Sequence, residues 1–182
     1  MRHDMRWAAM VTVALGVGSW PAGESLAAPA WNACDMVQKA DLDAAFAPRV
    51  FGAGTPGSKQ APGRATMAEV STCTFTSAGA SAKEKRTVGL LARRAPSDTT
   101  GVTPQAARAG ALQLKATPVD VAGLGEGAYW VNLGSSSFPV VELNVFRGRR
   151  EWLVFSASGK KLDVGAAVAG LTKLAKATAV PP

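Results

Sequence analysis

Residues 139–157 read PVVELNVFRGRREWLVFSA, two runs of β-forming residues joined by a short basic turn. Val, Phe, Trp and Leu recur at alternate positions in Pro139–Phe146 and Glu151–Ala157, and Arg147-Gly148-Arg149-Arg150 reverses the chain between them. The pattern predicts a hairpin. Pairing Phe146 with Glu151 puts Val145 opposite Trp152 and Leu143 opposite Val154 on one face, with Phe146, Leu153 and Phe155 on the other. Both faces are then partly apolar, so something beyond one helix layer must cover the sheet.

Working outward, Val164 to Ala177 carries Val164, Ala167, Val168, Leu171, Leu174 and Ala175 at helical spacing, with Lys173 and Lys176 on the polar side. Upstream, Thr103-Pro104 is a helix start, a hydroxyl cap followed by a proline at the first helical position. That helix, Pro104 to Leu114, presents Ala107, Gly110, Ala111 and Leu114 for close packing. Val70–Ser77 and Arg86–Arg94 read as strands, the first with Cys73 and Phe75 on one face, the second with Val88, Leu90 and Ala92. Val119 and Val121 begin another strand, Gly123-Leu124-Gly125-Glu126-Gly127 turns the chain, and Ala128–Leu133 follows. Asp35 to Phe46 reads as a helix ended by Pro48, and the Gly- and Pro-rich segment 47–68 as a long loop. Helix, two strands, helix, four strands, helix gives an α+β fold, a mostly antiparallel sheet flanked by helices in a single layered domain.

The first thirty residues read as an export leader. Arg2 and Arg6 precede an apolar run, Trp7–Val17, too short to span a bilayer, and small residues offer cleavage near Ala27 or Ala30. Export implies a periplasmic or secreted domain of residues 31–182. Cleavage would remove Arg2, Arg6, Asp4 and Glu24, so the formal charge of +7 is unchanged. It would also remove His3, the single histidine, which excludes histidine-based triads and most zinc sites. Cys34 and Cys73 remain, and two cysteines in an oxidising compartment are expected to pair. Their bridge would close a loop of about 40 residues, with a chain-entropy stabilisation of roughly 4 kcal/mol. Cys34 follows Trp31-Asn32-Ala33, which does not fit a lipid-attachment site.

These pieces together resemble a broad group of small exported bacterial proteins and lipoproteins of unknown function. The matching residues are Cys34, Ala40-Asp41-Leu42, Cys73-Thr74-Phe75, the turn Val121-Ala122-Gly123-Leu124-Gly125-Glu126-Gly127-Ala128, and Leu171 to Ala177. The resemblance implies an antiparallel sheet flanked by helices, a disulfide from first helix to first strand, and no catalytic activity. The missing lipid-attachment site sets this chain apart from the lipoprotein members.

The glycine run at 123–127 invites a phosphate-loop reading, but a strand pattern follows it rather than a helix, and Glu126 would repel phosphate. Ser158-Gly159-Lys160-Lys161 contains Ser-x-x-Lys without the supporting motifs of that chemistry, and reads as a strand-to-helix connection. Asp35, Asp41 and Asp43 suit a helix amino end and show no calcium-loop spacing. The composition points to contact with anions. Lys83, Lys85 and Arg86 precede one strand, Arg93 and Arg94 end it, and Arg147, Arg149 and Arg150 turn the hairpin. If they converge, they form an anion-facing rim near Phe146 and Trp152. In the long loop, Val50, Phe51 and Met67 offer apolar contacts to a partner.

The expected function is therefore an exported, non-enzymatic binding or interaction protein of the bacterial envelope, with no catalytic residues, metal or cofactor. Its expected partner is an envelope protein or an anionic envelope component, with peripheral membrane contact as a third reading; nucleic acid is disfavoured. The competing class is a carboxylate-dependent hydrolytic or carbohydrate-active enzyme. A buried carboxylate of raised pKa in a sizeable cleft would favour that class, and a flat surface with only exposed acids would favour binding.

Overall fold

Strands that alternate apolar and polar residues must find a cover for each apolar face, and here helices supply it on both sides of one sheet. The computed structural model describes residues 32–60, 68–79, 81 and 84–178; the leader, Met67 and Lys83 lie outside the described residues. The elements are α1 (Ala33–Met36), α2 (Lys39–Ala45), β1 (Thr55–Gln60), β2 (Glu69–Thr76), β3 (Thr87–Arg94), α3 (Pro104–Gln113), β4 (Val119–Asp120), β5 (Tyr129–Asn132), β6 (Val140–Arg147), β7 (Glu151–Ser158) and α4 (Val164–Ala177). The strands form a seven-stranded antiparallel sheet in the order β1-β2-β3-β7-β6-β5-β4. The expected α+β architecture is what the chain adopts.

On the inner face, Val88 and Leu90 of β3, Val141, Leu143 and Val145 of β6, and Leu153 and Phe155 of β7 pack with Leu171 and Leu174 of α4 and Leu42 of α2. Each fully buried Leu or Phe contributes about 1.5–3 kcal/mol of burial free energy, so this layer dominates stability. Asp163 caps α4 by accepting from the Ala166 N–H at 2.8 Å, and Thr103 caps α3 by accepting from the Ala106 N–H at 3.2 Å. Cys34 and Cys73 are bonded, joining α1 to the core face of β2. On the outer face a smaller cluster forms from Ala111 of α3 with Tyr129, Val131 and Phe146.

Four details differ from the sequence reading. The hairpin register is shifted by one residue: Arg147 pairs with Glu151, Phe146 with Trp152, Val145 with Leu153 and Leu143 with Phe155. The connection is the three residues Gly148, Arg149 and Arg150, with Gly148 at φ +61°, and a one-residue shift moves every side chain of one strand to the opposite face. Leu153 and Phe155 thus join Val145 and Leu143 in the core, whereas Phe146, Trp152 and Val154 face outward.

The expected helix Asp35–Phe46 is two helices, because Val37 and Gln38 are extended and Val37 turns into the core. The segment read as a loop holds β1, an edge strand on β2 with an irregularity between Pro56 and Lys59. Its glycines and proline are loop signals in sequence, yet Pro56 is tolerated on an edge. A Cβ on nearby Gly54 would lie 2.6 Å from Cys73 Sγ, so close approach to the bridge requires glycine there. Finally, Leu114 is not part of the packing face of α3 but 70% exposed.

Candidate functional site

The outer face of the sheet is only partly covered. Helix α3 presents small residues, Ala107, Gly110 and Ala111, toward the aromatic side chains of β5 and β7, and a cavity of about 520 Å³ remains between them. A second cavity of about 380 Å³ lies over the neighbouring strands, lined by Thr72, Thr74, Leu91, Val154 and Ser156. Glu142 and Trp152 line both, so the two adjoin as one groove across the outer face. Tyr129 and Trp152 line its wall, and both stack on the buried Phe146, Tyr129 at 6.2 Å and Trp152 at 6.0 Å between ring centres. The buried Asn144 fixes this wall by accepting from Trp152 Nε1 at 3.0 Å.

Glu142 stands on β6 opposite Val131 of β5 and Ser156 of β7. Among the described residues it has no hydrogen-bond or ion-pair partner, and burial pushes its carboxyl above the ordinary glutamate value. Tyr129 is shifted in the same direction, first by burial, while the Arg108 guanidinium 4.6 Å from its ring centre opposes the shift and Glu142 adds to it. Arg108 itself pairs with Asp120. The sequence reading missed Glu142. The available signal was an acid inside the apolar run Val140–Phe146, on the face that carries Asn144.

The basic residues divide between the two ends of the sheet. Thr87 pairs with Ser158 and Arg94 with Glu151, so Lys85 and Arg86 lie a whole eight-residue strand from Arg93, Arg94 and the hairpin turn. At roughly 3.3 Å per residue that exceeds 20 Å. At the turn end, Arg147 Nη2 donates to Ala175 O (3.0 Å) and Thr178 O (3.2 Å), closing the carboxyl end of α4. Arg150 donates to Ala95 O, Arg93 to Thr100 O, and Arg94 pairs with Glu151. Arg149 is exposed and makes no hydrogen bond or ion pair with a described residue. Phe146 is buried rather than part of a rim.

At the other end, Arg86 lines a cavity of about 290 Å³ together with Arg49 and Lys161, which the sequence reading did not group with it. Lys85 is exposed beside it.

No protein-family model matches the sequence, and a search of curated proteins finds no match either. Among solved structures the chain is similar to the extracellular domain of PknH from Mycobacterium tuberculosis, with a TM-score of 0.41 and 9% identity over 78% of this chain and 92% of that one. A likeness so remote carries no weight on function. The Cys34–Cys73 bridge independently fits a non-cytoplasmic, secreted protein. No described helix is long and apolar enough to cross a membrane.

The remaining motifs resolve structurally. The turn at 123–127 joins β4 to β5, and Gly125 sits so close to β6 that a Cβ would lie 2.3 Å from Phe146 O. Ser158 ends β7 rather than starting a helix. Asp43 accepts from the Phe51 N–H at 2.8 Å and pairs with Lys39; this ion pair first, and the Phe51 N–H second, hold its carboxyl below the usual range. Phe51 is a core residue against Phe46, not a partner contact, whereas Val50 is exposed. Among the described residues no group of three His, Cys, Asp or Glu side chains gathers to hold a metal.

Proposed function

We propose that this chain is an exported, non-enzymatic binding module whose outer groove takes a small apolar molecule bearing a cationic or strongly hydrogen-bond-donating group. The observation that carries the reading is Glu142: a half-buried carboxylate without a partner among the described residues, placed where the two cavities adjoin. A desolvated carboxylate is costly unless something pairs with it, and a ligand that does so gains both charge-assisted hydrogen bonding and apolar burial. Trp152, only partly buried, supplies rigid aromatic surface for the apolar part of such a ligand.

The carboxylate-dependent enzyme has one point in its favour, since Glu142 is a carboxylate of raised pKa in a cleft. Glycoside hydrolysis requires a second carboxylate roughly 5–9.5 Å away. Among the described residues Glu142 is the only acid lining either cavity. Binding is therefore the reading this arrangement supports better.

Calorimetric titration with phenethylamine, an aromatic ring on a short cationic arm, tests it. Saturable binding that Glu142→Gln weakens by about tenfold or more is expected, since a hydrogen-bonded charge pair is worth about 1.5–3 kcal/mol. Binding unaltered in Glu142→Gln contradicts the assignment.

A further inference from the structure

One end of the sheet carries three exposed large apolar side chains, Val50, Leu133 and Phe138, among lysines. Register places Thr76, Thr87, Ser158, Val140 and Asn132 side by side at that end of β2, β3, β7, β6 and β5. At about 4.8 Å per strand this front is about 20 Å wide. The connections leaving it are tied to one another: the Lys161 N–H donates to Ser137 O at 3.1 Å, the Ala78 N–H to Val50 O at 3.0 Å, and Arg49 Nη1 to Glu84 O at 2.8 Å. Asn132 Oδ1 accepts from the Gly134 and Val140 N–H groups at 3.1 and 3.2 Å, and Ser135 Oγ from the Phe138 N–H at 3.2 Å. A pinned loop thus presents Phe138, which is 50% exposed. In strand order Lys85, Lys160 and Lys161 lie between Val50 and Phe138. They are exposed, and their ammonium groups make no hydrogen bond or ion pair with a described residue. With Arg49 they outnumber the acids of these connections among the described residues, Glu84 and Asp163, and Asp163 is engaged as the cap of α4.

We infer that this end of the sheet is a contact surface for an anionic phospholipid bilayer, with Phe138 entering the boundary between headgroups and acyl chains. Binding at such an interface scales with the apolar area that enters it plus the attraction of basic residues to anionic lipid. This surface supplies both, since Phe138 and Leu133 flank the neck of one loop and the lysines stand beside it. The lysines distinguish a bilayer from a protein partner. Lysine is depleted in the cores of protein interfaces. At a lipid surface its long stem lies along apolar groups while the ammonium stays with water and phosphate. Each such cation near an anionic leaflet is worth about fivefold in affinity. The opposite end of the sheet lacks this combination: of the hairpin arginines there, Arg147 and Arg150 are engaged with backbone carbonyls and Phe146 is buried.

Cosedimentation of the purified protein with phosphatidylcholine vesicles, with and without phosphatidylglycerol, tests the surface. Binding is expected only to the vesicles that contain phosphatidylglycerol, and it should weaken at high salt. Phe138→Ser should weaken it about tenfold, and Lys160→Gln combined with Lys161→Gln about tenfold or more. Arg149→Gln, at the far end of the sheet, should leave it unchanged. All four side chains are exposed, so the variants should keep the parent's thermal midpoint, and any loss then reads contact rather than folding. Vesicles carrying a nitroxide-labelled lipid add a local readout: amide signals of Leu133, Phe138 and Lys160 in the isotope-labelled protein should broaden, and that of Arg149 should not. No binding to either vesicle, equal binding to both, binding that Phe138→Ser leaves intact, or broadening centred away from these residues overturns the inference. An equal loss in Arg149→Gln also overturns it, by reducing the effect to general surface charge.

Discussion

Trp152 donates its indole N–H to Oδ1 of Asn144 at 3.0 Å, diagonally across the β6–β7 pair. The bond satisfies a buried amide and holds the indole as the shared wall of the two outer cavities. Asn144→Ala leaves the indole N–H unpartnered and is expected to cost about 1–3 kcal/mol. In a double-mutant cycle with Trp152→Phe, denaturant unfolding should report a coupling of about 0.5–3 kcal/mol. Additive losses would show that the bond does not set the wall.

In the proposed site Glu142 trades stability for binding. Its folded pKa is raised by burial, so the folded state holds this proton more tightly than the unfolded chain. The stability from this group is full below the ordinary glutamate value and is lost as pH rises through the folded value. Glu142→Gln should therefore raise the thermal midpoint at neutral pH and flatten that part of the stability–pH curve. Binding of a cationic ligand has the opposite dependence, weakening as pH falls through the same value. A lower midpoint for the variant at neutral pH would show that Glu142 is not held at a desolvation cost.

The bridge between Cys34 and Cys73 has a sequence separation of 39. On the chain-entropy account, replacing both cysteines by alanine should lower stability by up to about 4 kcal/mol, read from urea unfolding. Loss of less than about 1 kcal/mol would place the stability of this end in the packing of Met36, Val37 and Leu42 instead.

The hairpin arginines should separate cleanly. Arg147 joins two carbonyls at the end of α4, so Arg147→Ala should cost about 1–2 kcal/mol, whereas Arg149→Ala should stay within about 0.5 kcal/mol of the parent. Equal effects in thermal unfolding would contradict the assignment of Arg147 to that end.

Much of this fold is legible in the chain. The stripe Ala167, Leu171, Leu174 gives α4, Thr103-Pro104 gives the start of α3, and alternation gives β2, β3, β6 and β7. Register is not legible where both faces are apolar. With Phe146, Trp152 and Val154 on one side and Val145, Leu153 and Phe155 on the other, hydrophobicity does not choose between pairings one residue apart, and the three-residue turn decides. β1 is hidden because the glycines that let the edge approach β2 and the bridge are the residues that mark loops. The groove is hidden for the same reason as the register, since Glu142 becomes a site residue only once its face and neighbours are fixed. Arg49 and Arg86 are 37 positions apart, and only folding brings them to one cavity with Lys161.

The outer groove is the centre of the proposed function. The most direct measurement is amide chemical-shift mapping of the isotope-labelled protein during titration with phenethylamine. Saturable shifts centred on Thr72, Leu91, Tyr129, Glu142 and Trp152, lost in Glu142→Gln, are the predicted result. Shifts absent, unsaturable, or centred away from these residues would contradict it.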